Sequence, residues 1–370
     1  MKKLSKLILP LTILSLLMTG CNQSSKTEVS TSAQSNQTTI EKTVIDANGN
    51  KVTLPKNIKK IAVTPMPWAS VIWGLEGNSD RLVSMNPSSL QAYNISVLSQ
   101  LDKSFGNIST KEIGEDFSIN MEEMANIQPD IMFLWNDQTK EAEKLTALGI
   151  TPIMLVYATD LDTLTKDIRI VGQSLGKEDL AENIIKYHSE TEQYFKNKSS
   201  ELTNVKKNKV LYLTNVKNSV ASSGESINNY LINLTGGENV AGSLSKSNTT
   251  VTMEQILAWD PEIIYISNFD TVLPSDFYNN TIEGQDWSNI SAVKNHKVYK
   301  TPIGIYRWDA PCIETPLMMK WMAQVQQPEI FSDYNFTEEL KNFYKEYFNH
   351  ELSENEIDWI KNTNSNKNSK

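Results

Sequence analysis

One helix-to-strand unit occurs twice in this chain of 370 residues. Residues 119–136 read INMEEMANIQPDIMFLWN, and residues 251–268 read VTMEQILAWDPEIIYISN. Met, Glu, Pro, Ile and Asn recur in register, so Glu122 and Glu254 occupy the same slot of the two copies. Internal repetition at this length indicates two structural units of one design. We therefore expect two lobes, each of which contains one copy.

The segments around each copy alternate between strand-like and helix-like patterns. Strand-like runs are KKIAVT, DRLVSM and TPIMLVY in the first half, and KVLYLT and HKVYKT in the second. This alternation predicts an α/β protein with two Rossmann-like lobes and mostly parallel central sheets. We place the N-terminal lobe at residues 40–160 and the C-terminal lobe at residues 206–360. Two short runs around Asn48-Gly49 predict a β-hairpin at the start of the first lobe.

The middle of the chain, residues 161–205, contains no strand-like run. LDTLTKDIRIVGQSL has the spacing of an amphipathic helix, and the stretch that starts at KEDLAENIIKYHSETEQYF predicts a second, unusually long one. We expect a single long helix to join the two lobes as a stiff spacer.

The chain begins with MKKLSKLILPLTILSLLMTGC, a charged start followed by an apolar run and small residues. This pattern is typical of a secretory signal peptide, which we place at residues 1–20. The apolar run is too short to cross a bilayer about 30 Å thick as a helix. LMTGC resembles the lipobox of bacterial lipoproteins, which implies cleavage before Cys21, a lipid on its thiol, and a location on the extracytoplasmic face of the cell membrane. An ordinary secretory peptide with an incidental cysteine is the alternative.

Two polar segments flank the predicted lobes. Residues 21–39 follow the lipidation site and are rich in Ser, Thr, Asn and Gln, and residues 361–370 read KNTNSNKNSK. Such compositions predict a disordered tether and a disordered tail, because neither can bury a core. The formal net charge of −9, without a basic run, argues against nucleic-acid binding and against an electrostatic hold on an anionic membrane. We expect a monomer that contacts the membrane through its lipid anchor only.

The repeated unit places its glutamates at the start of a helix. Asn120 and Thr252 are good N-cap residues, with Glu123 and Gln255 three positions on, so each copy predicts a capping box. Glu122 and Glu254 then sit at the second helical position, free to face solvent. An acid in the first turn is also favoured by the helix dipole by about 0.3–1 kcal/mol without any partner. Shared ancestry of the lobes is a further explanation of the match.

The sequence order, the repeated unit and the lipobox resemble the ABC-importer binding lipoproteins for ferric siderophores, haem and vitamin B12, over nearly all of residues 40–350. GGENVAG (236–242) and HKVYKTP (296–302) are similar to segments of that family. The resemblance implies two α/β lobes, one long connecting helix that restricts closure, and a ligand between the lobes. It also implies that Glu122 and Glu254 pair with arginines on the two subunits of an ABC permease, which works with its ATPase.

In such a family, loops that follow strands contact the ligand. We expect contacts from Pro67, Trp68, Trp135 and Asn136 in the first lobe and from the segment GIYRWDAPCIE (304–314) in the second. In that segment Arg307 could form charge-assisted hydrogen bonds to an anion, while Tyr306 and Trp308 could supply flat apolar surface. The alternative is that Arg307 pairs with Asp309 and the tryptophans pack the rims.

The three histidines are scattered, so the sequence lacks the convergent ligand set expected of a zinc or manganese importer. We therefore predict no direct metal site and no cofactor, and a ligand that is a ferric ion already held by a chelator. Molybdate or tungstate, haem and a corrinoid remain alternatives with the same fold. A hydrolase-like enzyme is the alternative from another class; around Ser223 the Gly-x-Ser-x-Gly pattern of a nucleophile elbow is missing.

Overall fold

The computed structural model describes residues 41–369. The predicted signal peptide (1–20), Cys21 and the predicted tether (21–39) lie outside these residues. Within the described range, no helix combines the length and apolar character needed to cross a membrane.

The N-terminal part of the described chain builds a hairpin and a four-stranded sheet. The hairpin pairs Thr43 with Thr53 in antiparallel register around Asn48-Gly49, as predicted. The elements are β1 (Thr43–Ile45), β2 (Lys51–Thr53), β3 (Ile61–Val63), α1 (Trp68–Glu76), β4 (Leu82–Met85), α2 (Pro87–Ile95), α3 (Leu98–Leu101), α4 (Met121–Ile127), β5 (Ile131–Trp135), α5 (Thr139–Ala147) and β6 (Thr151–Leu155). The sheet has the order β4-β3-β5-β6, and all three strand pairs are parallel.

Helices alone occupy the middle segment. They are α6 (Leu161–Leu175), α7 (Glu178–Asn197) and α8 (Ser199–Thr203). Asp160 caps α6, and Gly176 ends it in the left-handed conformation with φ 73°. With 20 residues, α7 is about 30 Å long. It packs closely on α6, because a Cβ at Gly172 would lie 2.3 Å from Cβ of Ala181.

The C-terminal part contains the second sheet. The elements are β7 (Asn208–Asn215), β8 (Val220–Ser222), α9 (Ile227–Leu234), β9 (Gly237–Asn239), β10 (Asn248–Thr250), α10 (Met253–Trp259), β11 (Ile263–Ile266), α11 (Pro274–Tyr278), α12 (Ser291–Lys294), β12 (Val298–Lys300), α13 (Thr315–Gln326), α14 (Phe336–Phe348), α15 (Glu354–Ile360) and α16 (Thr363–Asn366). The central strands β7, β11 and β12 are parallel, while β8 and β10 form an antiparallel edge that the sequence pattern did not predict. Two mostly parallel sheets with flanking helices confirm the predicted fold class.

One apolar core runs through both sheets. Phe133 of the first sheet and Tyr265 of the second belong to the same buried cluster, which also takes in Phe195 of α7 and Met318 of α13. Residues Glu41–Lys370 accordingly form one compact unit. A large apolar contact between structural units opposes free hinge motion, so we expect the two sheets to move little relative to each other.

The tail differs from its predicted disorder. Asn366 Oδ1 accepts the backbone N–H of Lys300 at 2.7 Å, and Asn366 Nδ2 donates to the Lys300 carbonyl at 2.9 Å. The Tyr278 and Ser369 hydroxyls lie 3.0 Å apart. The amide of Asn366 thus satisfies the open edge of β12 in the way that a further strand would.

Candidate functional site

The two repeated glutamates lie in the first turns of short helices with different caps. In α10, Thr252 and Gln255 form the predicted reciprocal capping box. In α4, Asn120 Oδ1 accepts the N–H groups of Glu122 and Glu123, but the N–H of Asn120 donates to the carbonyl of Glu112 at 2.9 Å. The predicted box of α4 is therefore only half formed, because a neighbouring loop occupies the donor that Glu123 would have accepted.

Glu122 and Glu254 are both exposed, and neither forms an ion pair with any residue in 41–369. Three residues connect each helix to the next strand, from α4 to β5 and from α10 to β11. Such a short connection reverses the chain direction, so each helix starts near the carboxyl end of the strand that follows it. Hydrogen bonds from its own backbone N–H and from the Thr252 hydroxyl lower the pKa of Glu254.

An aromatic pocket lies at the carboxyl ends of the first sheet. We use this name for a cavity of about 580 Å³ whose apolar lining consists of Met66, Phe117, Trp135 and Tyr157. The Trp135 ring centroid is 6.3 Å from that of Phe117 and 5.9 Å from that of Tyr157. Asn136 also lines the pocket, and its carbonyl accepts a hydrogen bond from Asn48. Open parallel sheets bind their ligands at this end of the strands.

Arg307 lies at the corresponding end of the second sheet. Its guanidinium Cζ is 4.2 Å from the centroid of the Phe269 ring. Its Nη1 contacts Ser267 Oγ and Asp309 Oδ2, both at 3.4 Å, and its side chain is 18% exposed. Burial disfavours the charge, but the Asp309 carboxylate together with the side chains of Tyr306 and Tyr212 more than compensates and raises the pKa of Arg307 above its ordinary value. The cation is therefore permanent, while its internal contacts are long enough to leave it available to an anion.

Arg307 lies close enough to the aromatic pocket to act electrostatically on one of its lining residues. The charges of Arg307 and Asp309 both act on the hydroxyl of Tyr157, which is 44% exposed at the rim of the pocket. The backbone N–H of Val97 donates to the carbonyl of Gly304 at 3.2 Å, so the loop that carries Arg307 also contacts the first half of the chain. The arrangement combines one cation with flat apolar walls.

Four of the predicted contact residues are buried instead. Trp68 is 2% exposed, and Tyr306 and Trp308 are each 1% exposed. Pro67 is buried at the start of α1, where its carbonyl accepts the Ser70 hydroxyl. The rings of Trp68, Tyr306 and Trp308 pack into the main core. The start of α1 and the loop before α13 therefore bury aromatic side chains that the sequence predicts to face a ligand. Arg307, Trp135 and Asn136 are partly exposed, and Trp135 and Asn136 line the aromatic pocket.

The site contains four residues that the sequence pattern did not predict: Phe117, Tyr157, Ser267 and Phe269. Tyr157 follows β6 by two residues, and Ser267 and Phe269 follow β11. The rule that selects Trp135 at the carboxyl end of β5 would select these three as well. Phe117 precedes a helix and carried no such signal.

Other features of the described part of the chain are less suited to a ligand site. A cavity of about 690 Å³ lies between β1 and α6. A second, of about 980 Å³, is lined by Asn208, Lys297, the end of α13 and the start of α14. The latter is at the amino ends of β7 and β12, opposite the end where such sheets bind ligands. Among residues 41–369, no three His, Cys, Asp or Glu side chains converge as a metal ion would require.

Comparison with known proteins identifies relatives of this chain. A family model described as periplasmic binding protein matches residues 82–303. The crystal structure of a periplasmic solute binding protein from Veillonella parvula is 42% identical, with a TM-score of 0.83, and the match covers 88% of this chain and 98% of that one. The ABC transporter substrate-binding lipoprotein YvrC of Bacillus subtilis is 22% identical over 81% of this chain and 90% of its own. The molybdate-binding protein MolA of Haemophilus influenzae is 20% identical over 64% of this chain and 71% of its own.

Proposed function

The chain belongs to the periplasmic binding protein family, so it is a solute-binding protein and not an enzyme, and we propose that it captures an anionic iron(III) chelate of the siderophore type. It delivers this ligand to an ABC importer, as the name of the YvrC relative implies. Lipid on Cys21 holds it at the extracytoplasmic face of the membrane, where relatives named as lipoproteins belong.

The observation that supports the ligand class is the proximity of Arg307 to Tyr157 of the aromatic pocket. The planar guanidinium of a partly buried arginine can donate charge-assisted hydrogen bonds to carboxylate or catecholate oxygens. The rings of Phe117, Trp135 and Tyr157 suit a ligand with flat, apolar parts. A chelate with an anionic iron centre and aromatic or carbonyl arms contains both features.

The size of the pocket favours a chelate over an oxyanion. Its volume of about 580 Å³ falls in the range of cavities that enclose drug-sized ligands. Molybdate is far smaller and has no apolar surface to place against three rings. Because MolA is named as a molybdate-binding protein and Ser267 Oγ stands beside Arg307, molybdate is the second candidate, and tungstate, haem and a corrinoid belong in the same test.

Tryptophan fluorescence tests the proposal, since Trp135 lines the pocket. The mature protein is titrated with iron(III)–2,3-dihydroxybenzoate, ferric citrate, haemin, cobalamin and molybdate, and native mass spectrometry gives the stoichiometry. We expect one equivalent of a ferric chelate to bind and quench, and the metal-free chelator to bind more weakly. Binding of molybdate alone would replace the proposed ligand by an oxyanion.

Delivery requires contact with the permease. We assign this contact to Glu122 and Glu254, which face solvent without an ion pair in the described chain and sit at equivalent helix starts. Two cations on two related permease subunits, above all arginines, would complement them.

A further inference from the structure

Glu314 is a carboxylate inside the protein, with three hydrogen-bond donors around it. Its exposed fraction is zero. Oε2 accepts the backbone N–H of Ile305 at 2.9 Å and that of Tyr306 at 3.3 Å, and Oε1 accepts the hydroxyl of Tyr344 at 2.7 Å. Glutamate is almost never fully buried unless its oxygens are paired. The question is therefore what a buried carboxylate does at this position.

The two backbone donors belong to the turn that precedes Arg307. An antiparallel bridge joins Ile303 to Arg307, and the N–H of Gly304 donates to the carbonyl of Tyr306 at 3.0 Å. The carboxylate fills the space beside this turn, because a Cβ at Gly304 would lie 1.8 Å from Glu314 Oε1. Position 304 therefore accepts only glycine while Glu314 keeps its place.

The side chain of Arg307 depends on that turn for its position. Its hydrogen bonds to Ser267 and Asp309 are both 3.4 Å long, and its Nε has no hydrogen-bond partner in the described structure. Tyr344 of α14 holds Glu314 from the other side, and both α14 and the turn contribute to the main core. Glu314 therefore fixes the backbone of the turn, whereas only long contacts hold the guanidinium of Arg307.

We propose that Glu314 is a positioning residue that sets the backbone of residues 304–306 and thereby aims Arg307 at the ligand. This inference rests on the proposed function, since it takes Arg307 as the ligand contact. Glu314 itself does not touch the ligand. The competing explanation is a carboxylate that only stabilises the core, in which case its loss would weaken binding equally with or without Arg307.

A double-mutant cycle separates the two explanations. Glu314→Leu leaves the N–H groups of Ile305 and Tyr306 without an acceptor. Glu314→Gln keeps them, because its amide oxygen can accept both while its NH2 group donates to the Tyr344 oxygen. Each change is made with Arg307 present and in Arg307→Ala, and affinity for iron(III)–2,3-dihydroxybenzoate is read by Trp135 quenching. Tyr344→Phe is the milder variant if Glu314→Leu does not fold.

With Arg307 present, we expect Glu314→Leu to weaken binding at least tenfold, Tyr344→Phe to weaken it severalfold, and Glu314→Gln to stay within twofold. In Arg307→Ala, the same changes should have less than a twofold effect.

Glu262→Leu is the control, because Glu262 also accepts a backbone N–H, from Lys209, but at the amino end of the second sheet. This variant should leave affinity unchanged. Equal losses in both backgrounds, or no loss in either, would overturn the inference. If Arg307→Ala alone leaves affinity unchanged, the proposed ligand site fails instead.

Discussion

The guanidinium of Arg307 lies over the ring of Phe269, with Cζ 4.2 Å from the ring centroid. A guanidinium over an aromatic face interacts with the ring through its flat surface, so this contact leaves the in-plane N–H groups free to donate hydrogen bonds. Phe269 therefore holds Arg307 at the carboxyl end of β11 without consuming the donors that an anion needs.

The first prediction concerns Arg307. Arg307→Ala should weaken an anionic ferric chelate by about 1.5–3 kcal/mol, the value of a lost hydrogen bond to a charged group. Arg307→Lys should recover part of the loss, because an ammonium keeps the charge but not the planar fork. Quenching titrations measure both. Phe269→Leu, which removes the ring and keeps an apolar side chain, should cost about 0.5–2 kcal/mol. Unchanged affinity in Arg307→Ala would remove it from the site.

The sequence predicted which residues lie at or after strand ends. It did not predict whether their side chains are exposed or buried. Trp135 and Arg307 could be chosen because the first ends a strand of a recognisable α/β pattern and the second follows one. Trp68, Tyr306 and Trp308 follow strands too, yet they are buried, because whether a loop ring turns inward depends on neighbours that are remote in the sequence. For Trp308 such a neighbour is Phe336 of α14, whose ring centroid is 6.2 Å away.

The repeated unit allowed the two-sheet fold to be predicted, since periodic apolar strands and short helices are local signals. The β8–β10 edge and the tail were not predictable in this way. β10 is the three-residue run NTT, which is polar and carries no alternating apolar pattern. The tail is polar because its amides, above all Asn366, pair with the backbone of β12, a contact that composition does not reveal.

A second prediction follows for that tail. Asn366→Ala should lower the free energy of unfolding by about 1–3 kcal/mol, because it leaves the N–H and carbonyl of Lys300 without their partners. Urea denaturation measures the change. Asn364→Ala, two positions away, has no such contact among the described residues and serves as the control. If deletion of residues 361–370 left stability unchanged, the tail would be disordered in solution, as its composition suggested.

The third prediction concerns Asp167, which is buried, accepts the N–H of Val156 at 2.9 Å and has a second oxygen without a hydrogen-bond partner in the described structure. Burial raises its pKa to about 7. A carboxyl whose pKa is higher in the folded protein than in the unfolded chain favours folding at low pH. This contribution is fully present below the ordinary pKa of 3.8 and is lost progressively as the pH rises to about 7. Asp167→Asn keeps an acceptor for Val156 and should raise the melting temperature at pH 8 by several degrees, with a smaller effect at pH 5.

Asp260 provides a control of opposite sign. Its oxygens accept the N–H and the hydroxyl of Ser291, both at 2.8 Å, and hydrogen bonding from the Ser291 backbone lowers its pKa. Such a group stabilises the fold above its unfolded pKa, so Asp260→Asn should lower the melting temperature at pH 8, and its effect should fade under acid conditions. Equal melting temperatures for wild type and Asp167→Asn across pH 5 to 8 would show that Asp167 is not held in this environment.

The fourth prediction tests the repeated glutamates. Each occupies the second position of a short helix, is exposed, and has no ion-pair partner among residues 41–369. If they meet cations on a permease, the double variant Glu122→Lys with Glu254→Lys should abolish chelate uptake by cells while ligand affinity of the purified protein stays within twofold. Uptake of iron-55 as the ferric chelate and quenching titrations give the two readings. Each single variant should retain part of the uptake, because one contact remains.

Glu123 gives the matched control for a charge reversal in the same turn. It is exposed and one residue from Glu122, so Glu123→Lys meets the same unfavourable helix dipole, about 0.3–1 kcal/mol, and changes net charge equally. Uptake should be normal in Glu123→Lys and reduced in Glu122→Lys, since only the repeated slot is matched in α10. Equal uptake in these two single variants, with normal uptake in the double variant, would mean that the glutamates recur through shared ancestry or helix capping and that the permease recognises another surface.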